Sequence, residues 1–264
     1  MFVIAAVTMS MITILSAFNG IEDLVQDLFG TLDADLAAVP ISGEVLPNEL
    51  GEIIGEYPGV AVYSAVIESE AIIRGNGVTQ ICSVLGVDAQ YGDVSQIDSA
   101  IVEGIWGRSF ENSQCVCLGY GIRSEMGIRS DSTYPPLMSL GAPVRGKKLS
   151  RHRERAFRTL PALACGTFSI NADLDTRYIL APLEFARELF DRPNVVSRFE
   201  IQVDEGVSAA RLATDENFIA ALGDNVHLRT REEKHTFVTQ TNRAEKLATF
   251  VILSFILVVA AFNI

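Results

Sequence analysis

The residues with most chemistry to offer lie between Gly141 and Arg155. Gly141 to Lys148 reads GAPVRGKK. It matches the G-x-x-x-x-G-K of a phosphate-binding loop but ends in Lys148, where Ser or Thr must hold magnesium. Pro143 sits inside the loop and no helical pattern follows, so ATP binding here is excluded. A second near-match is Gly119-Tyr120-Gly121, which follows the apolar strand Gln114 to Leu118 and opens a helix through Met126. Ser124 stands where a dinucleotide loop needs its third glycine, and close packing of helix on strand accounts for the pair. His152, His227 and His235 are far apart and carry no nucleophile elbow or zinc spacing. The sequence therefore predicts no catalytic residue, no metal site and no cofactor in this chain, and gives a hydrolase little support.

What remains is charge. Arg145, Lys147, Lys148, Arg151, Arg153 and Arg155, with His152, form the basic cluster of the chain, relieved only by Glu154. Strands are expected around Leu137 to Val144 and Ala156 to Ile170, so the cluster reads as a hairpin tip. Such a tip is either a solvated surface or a docking loop for an acidic protein or anionic lipid head groups. The rest of the chain is acidic, with a net charge of -12, which argues against nucleic-acid binding, since that needs Lys and Arg on the phosphates. Cys82, Cys115, Cys117 and Cys165 show no C-x-x-C and sit in apolar settings. Buried free thiols are the expectation, above a disulfide framework or a metal site, and the three possible pairings stay open.

The elements that position this loop belong to an α+β domain. A short helix is expected over Pro47 to Tyr57, between a proline start and the Pro58-Gly59 stop. Gly59 to Arg74 and Val78 to Val87 alternate as strands around Gly75-Asn76-Gly77, a strong hairpin signal. Tyr91 to Phe110 reads as helix or turn. Tyr178 to Ala181 is a strand passing into a helix at Pro182 that ends near Asp191-Arg192-Pro193, and Ser197 to Val203 is another alternating strand. Val207 to Leu222 reads as one amphipathic helix closed by Gly223, and Val226 to Leu228 as a last short strand.

Both ends of the chain are apolar. Met1 to Phe18 and Leu247 to Ile264 carry no charge, and each reads as most of a membrane span, which needs roughly 20 apolar residues. The first lacks the basic leader and cleavage site of a secretory signal. Helical patterns continue beyond both, to about Gly30 from the first and back to Arg231 from the second. A helix from Arg231 to Ile264 would be about 51 Å long, beyond the roughly 30 Å of hydrocarbon. The expected organisation is a first span and stalk over 1–30, a central domain over 31–230 with an inserted β-rich subdomain at about 110–195, and a second stalk and span over 231–264.

Asn242-Arg243-Ala244-Glu245-Lys246 with the apolar run to Val259-Ala260-Ala261-Phe262-Asn263-Ile264 resembles the second span of lipoprotein-releasing ABC transporter permeases of the LolC/LolE type. Ser16-Ala17-Phe18-Asn19-Gly20 is similar to the end of that family's first span. Leu85-Gly86-Val87-Asp88, Cys165-Gly166-Thr167-Phe168, Tyr178-Ile179-Leu180-Ala181-Pro182-Leu183 and Phe185-Ala186-Arg187 fall between them in the family's order.

The resemblance implies a MacB-like periplasmic core with a porter-like α/β subdomain and the inserted β-rich one, between truncated transmembrane helices in the inner membrane. Phe18, Asn19, Gly20, Lys246, Phe262 and Asn263 would mark span and stalk. The implied partners are cytoplasmic ABC ATPase subunits, a second permease copy or paralogue, the lipoprotein substrate, membrane lipid and a periplasmic lipoprotein chaperone. The chaperone would be held at the hairpin Arg145 to Arg155, although this segment is more basic and less proline-rich than the better-known paralogue's. ATP hydrolysis would belong to the partner subunit. The alternatives are a MacB-type efflux or FtsX-type permease, or the ligand-binding sensor domain of a two-span receptor.

Overall fold

The structure of the chain, a computed structural model, describes residues 8–10, 12–14, 16, 17, 20, 32, 34–104, 106, 114–128, 135–143, 157–234, 249–252, 254, 255 and 258. The chain divides into two compact units, Met1–Gly30 with Glu232–Ile264, and Thr31–Arg231. The described residues of the first unit are helical. Among the described residues no helix is long and apolar enough to cross a membrane. Most of both expected spans lies outside the described residues, including Phe18, Asn19, Lys246, Phe262 and Asn263, whereas Gly20 is helical and exposed.

In the second unit the strands are β1 (Leu36–Pro40), β2 (Leu46–Pro47), β3 (Val60–Gly75), β4 (Val78–Val87), β5 (Ile101–Gly104), β6 (Cys115–Gly119), β7 (Leu137–Pro143), β8 (Phe157–Phe168), β9 (Tyr178–Pro182), β10 (Val195–Val196), β11 (Arg198–Val203) and β12 (Val226–Thr230). The helices are α1 (Leu50–Gly55), α2 (Tyr91–Val94), α3 (Ile97–Ala100), α4 (Tyr120–Glu125), α5 (Ala172–Asp175), α6 (Leu183–Phe190), α7 (Ala209–Ala213), α8 (Glu216–Leu222) and α9 (Arg231–Lys234). One mixed sheet runs in the order β12-β1-β11-β3-β4-β9-β6-β8-β5, with β7 paired to β3 and β8, while β2 and β10 form a separate ribbon. The stretch 110–195 supplies β6 to β9, which are hydrogen-bonded into the same sheet as β3 and β4.

Long β3 explains this layout. It pairs β11 along its first half and β7 along its second, with β4 on its other side throughout Val66 to Gly75. Its turn into β4 has positive φ at Asn76 and Gly77, the two-residue geometry that matches strand twist. Successive side chains point to opposite faces, and each face has its own apolar cluster. Ala65, Ile67 and Ile73 join one with Phe185 and Leu189 of α6. Val66 joins the other with Leu85, Leu180, Tyr91 and Phe168. A sheet covered on both faces needs apolar residues at consecutive positions, as Ser83 to Val87 of β4 shows by being buried throughout.

Helix α6 lies close on β4 because of one glycine. A methyl group at Gly86 would lie 2.1 Å from the Ala186 Cβ, far inside contact distance. Gly86→Ala therefore costs about 3 kcal/mol by overpacking, or roughly 6–12 °C in Tm for a domain of this size. Thermal unfolding of Gly86→Ala against the double variant Gly86→Ala/Ala186→Gly checks this, the second change restoring most of the loss.

Two expectations are corrected. Val207 to Leu222 is not one helix: α7 ends at Ala213 and α8 restarts at Glu216. Asp215 separates them, because its carboxylate accepts from the Asn217 and Phe218 amides and so makes a new helix start. Tyr91 to Phe110 contains two short helices and then strand β5, paired with β8.

Candidate functional site

The two strands that flank the predicted docking segment are described. β7 and β8 pair antiparallel from Leu137↔Leu163 to Pro143↔Phe157. Arg145, Lys147, Lys148, Arg151, His152, Arg153 and Arg155 lie outside the described residues. Gly141, Ala142 and Pro143, which open GAPVRGKK, are strand residues of β7. On the core side a cleft of ≈ 530 Å³ separates the stem from α6, lined by Leu160, Pro161, Phe185, Glu188, Asp191 and Pro193 among others. Arg158 crosses it: its Nη1 donates to the Glu188 carbonyl at 2.6 Å and its Nη2 pairs with the Asp191 carboxylate at 3.1 Å.

Three of the internal family-like segments meet beside α6. Leu85, Gly86 and Val87 run parallel to Leu180, Ala181 and Pro182, and Phe185-Ala186-Arg187 packs over them. Asp88 closes β4 by accepting from the Ser64 hydroxyl at 2.6 Å and the Ala65 amide at 2.8 Å. Burial holds its carboxyl above the usual range even so. The Gly119-Tyr120-Gly121 pair is packing: a Cβ at Gly119 would meet the Asp175 carbonyl at 2.2 Å, and one at Gly121 the Thr176 methyl at 2.5 Å. No room is left there for a pyrophosphate.

A charge network that the sequence reading missed joins β3, β9 and β11. Arg198 donates to Glu200 at 2.5 Å and to Glu68 at 2.5 Å, and Glu68 also accepts from the Tyr178 hydroxyl at 2.9 Å. Glu200 is 1% exposed. Burial works against the charged Arg198 guanidinium, but the two carboxylates outweigh it and raise its pKa. Alternation in R-F-E-I-Q-V puts Arg198 and Glu200 on one face, and nothing in the spacing says that the face is covered.

Burial and the neighbouring Glu68 push the Tyr178 hydroxyl up to about 12. A group whose folded pKa is raised gives stability that is intact below its unfolded value, near 10, and is lost as pH rises through the folded value. Stability should therefore fall between about pH 10 and 12. Tyr178→Phe flattens that part of the curve, measured by urea midpoints across the range.

Two further links were not foreseen. Cys115 and Cys165 form a disulfide between β6 and β8, which corrects the expectation of four free thiols; Cys82 and Cys117 are free and buried. The bridge forms because β6 and β8 are parallel neighbours, and the register shift between Val116 and Cys117 brings Cys165 alongside. The residues just before the first strand and just after the last are also pinned together. Asp35 pairs with Arg231 at 3.3 Å, the Arg231 amide donates to the Asp35 carbonyl at 3.2 Å, and β1 and β12 are paired from Leu36↔Thr230 to Pro40↔Val226. Among the described residues no group of three or more His, Cys, Asp or Glu is placed to hold a metal ion.

The described residues of the Thr31–Arg231 unit thus form a disulfide-stapled mixed sheet with an apolar cluster on each face and with β1 and β12 paired side by side. Residues 1–215 match the model of the MacB-like periplasmic core domain, and the chain belongs to that family. The periplasmic region of MacB from Actinobacillus actinomycetemcomitans shares the fold at 10% identity and a TM-score of 0.57, over 82% of this chain and 98% of that one. The extracellular domain of the noncanonic ABC-type transporter YknZ from Gram-positive bacteria does so at 12% identity and 0.50, over 75% and 99%. No curated protein sequence matches the chain.

Proposed function

We propose that this domain belongs to the permease subunit of an ABC transporter that extracts lipoproteins from the inner membrane and passes them to a periplasmic chaperone. The observation that carries the reading is the pairing of the first and last strands of the central unit. Asp35, just before β1, pairs with Arg231, just after β12, so the point where the chain enters the sheet is tied to the point where it leaves. Hydrolysis of ATP then falls to separate cytoplasmic subunits, and this chain serves as transmission without its own catalytic residues or cofactor. A second permease copy or paralogue completes the pair across the membrane. The Cys115–Cys165 bridge supports the periplasmic side, because disulfides persist in oxidising compartments.

The basic hairpin supports the handover step, since clustered Lys and Arg on an acidic domain attract an acidic partner. Its test is capture of a periplasmic lipoprotein chaperone by the intact permease. Reversing the charges at Arg145, Lys147, Lys148, Arg151, Arg153 and Arg155 should reduce capture at least tenfold and steepen no salt dependence, since the attraction itself is gone. Capture that is unaffected by reversal removes the hairpin from the handover. A MacB-type efflux or FtsX-type permease is the second reading, favoured by the same family match; it predicts normal lipoprotein sorting when the subunit is depleted.

A further inference from the structure

β12 is the last strand on its side of the sheet, and among the described residues only β1 pairs with it. Their ladder is bracketed by the Ile41 amide, which donates to the Asn225 carbonyl at 2.9 Å, and the Arg231 amide, which donates to the Asp35 carbonyl at 3.2 Å. Main-chain groups alternate in direction along an antiparallel pair. The odd-numbered residues of β12 therefore turn theirs toward β1, and the even-numbered ones turn theirs to the open edge. Val226 donates its amide to the Gly223 carbonyl in its own turn, whereas Leu228 presents both its N–H and its carbonyl along the edge. An edge of this kind accepts an extended chain as a further strand.

The side chains of β12 select the chemistry of that strand. Val226 and Leu228 are buried in the core cluster, which places His227, Arg229 and Arg231 together on the opposite face. Arg231 pairs with Asp35. Arg229 stands opposite Ala37, which offers it no acceptor, and Ala37 stands opposite Glu200. Two carboxylates on that face, Glu200 and Asp35, are held by Arg198 and Arg231. The Arg229 Nε is buried and has no hydrogen-bond partner among the described residues, a costly state for a donor out of water. Charges that merely keep other strands off an edge stand in solvent. Arg229 is half-buried, so it is not placed for that task.

We propose that β12 is a receiving edge for an extended acidic segment of another protein, which adds to the sheet as a strand at Leu228 and supplies a carboxylate to Arg229. Main-chain pairing gives the attachment, and the cations beside it give the preference for acidic residues. A second copy of this chain does not fit. Two β12 strands paired antiparallel would set His227 and Arg229 of one against those of the other, and like charges directly opposite are unfavourable. An acidic strand meets the same row with complementary charge. The edge lies apart from the basic segment Arg145 to Arg155, and the proposal does not depend on which cargo or chaperone the permease serves.

The probe is a short fluorescein-labelled peptide of alternating glutamate and valine, offered to the intact permease in nanodiscs. Its anisotropy should rise to saturation, and deuterium uptake across Val226–Thr230 should fall when it is bound. Arg229→Gln should weaken binding about tenfold, the worth of one charge-assisted hydrogen bond. Uptake across β1 and β11 should stay as in the wild type, which shows that the variant's sheet is intact. A fully N-methylated form of the peptide keeps its carboxylates, loses its main-chain donors and should not bind; this arm needs no variant to fold. Absence of saturable binding, equal binding by Arg229→Gln, or full binding of the N-methylated peptide each overturns the proposal, the last because charge alone would then hold the segment. Protection of Val226–Thr230 in the wild type without peptide, lost on dilution, would put a second copy on the edge and overturn it as well.

Discussion

Glu200→Ala destabilises the domain by roughly 3 kcal/mol, the cost of leaving a buried guanidinium with only one of its two carboxylates. Arg198 has Glu200 on one side and Glu68 on the other, and only Glu200 is fully out of water. Removing it strands the cation among β3, β9 and β11, with Glu68 already shared by Tyr178. Replacing Arg198 and Glu200 together by well-packed apolar residues costs much less, because a buried ion pair is weak against a hydrophobic substitute of its own shape. Urea unfolding of the single and double variants distinguishes these. Equal losses in both would mean that packing, not the unpaired charge, sets the cost.

Breaking the Cys115–Cys165 bridge is expected to cost about 4 kcal/mol. The two cysteines are 50 residues apart in sequence, and the chain-entropy treatment of a closed loop of that length gives this figure. Cys115→Ser/Cys165→Ser and chemical reduction of the wild type should lower the urea midpoint equally. The free thiols give the control. Burial pushes the Cys82 thiol up to about 12 and raises Cys117 as well, so neither reacts with a thiol reagent until the domain unfolds. A wild type insensitive to reduction would remove the staple from the account.

Local signals made much of this fold legible. Gly75-Asn76-Gly77 between alternating runs marks the β3–β4 turn because few residues accept the backbone it needs. The Tyr178 to Pro182 strand passes directly into its helix as the proline suggests. What was not legible depends on partners distant in sequence. Asp215 starts a helix only because its carboxylate finds the amides of Asn217 and Phe218, where the apolar spacing alone runs on unbroken from Val207. Cys115 and Cys165 look like core residues until β6 and β8 are known to be neighbours. Arg198 and Glu200 carry the pattern of a solvated face, and only the cluster of Val66 with Tyr91 on that side of the sheet shows it covered.

The candidate site divides in the same way. The basic segment was visible as composition, whereas Arg158 was one more arginine until its partners Glu188 and Asp191 at the end of α6 were placed beside it. The clasp of Asp35 with Arg231 lies just outside the first and last strands of the sheet. Neither residue has a local pattern that announces it, since the pairing of β1 with β12 brings together positions from opposite ends of the chain.

Reconstituted release addresses the central claim most directly. The intact permease, with its ATPase subunits, is placed in liposomes carrying a radiolabelled triacylated lipoprotein, and a periplasmic lipoprotein chaperone is added outside. ATP should transfer lipoprotein to the chaperone, and Asp35→Ala/Arg231→Ala should keep most of the ATPase rate while losing most of the transfer. No ATP-dependent transfer by the wild-type complex would contradict the lipoprotein reading, and full transfer by the clasp variant would contradict the joint through which the spans move the domain.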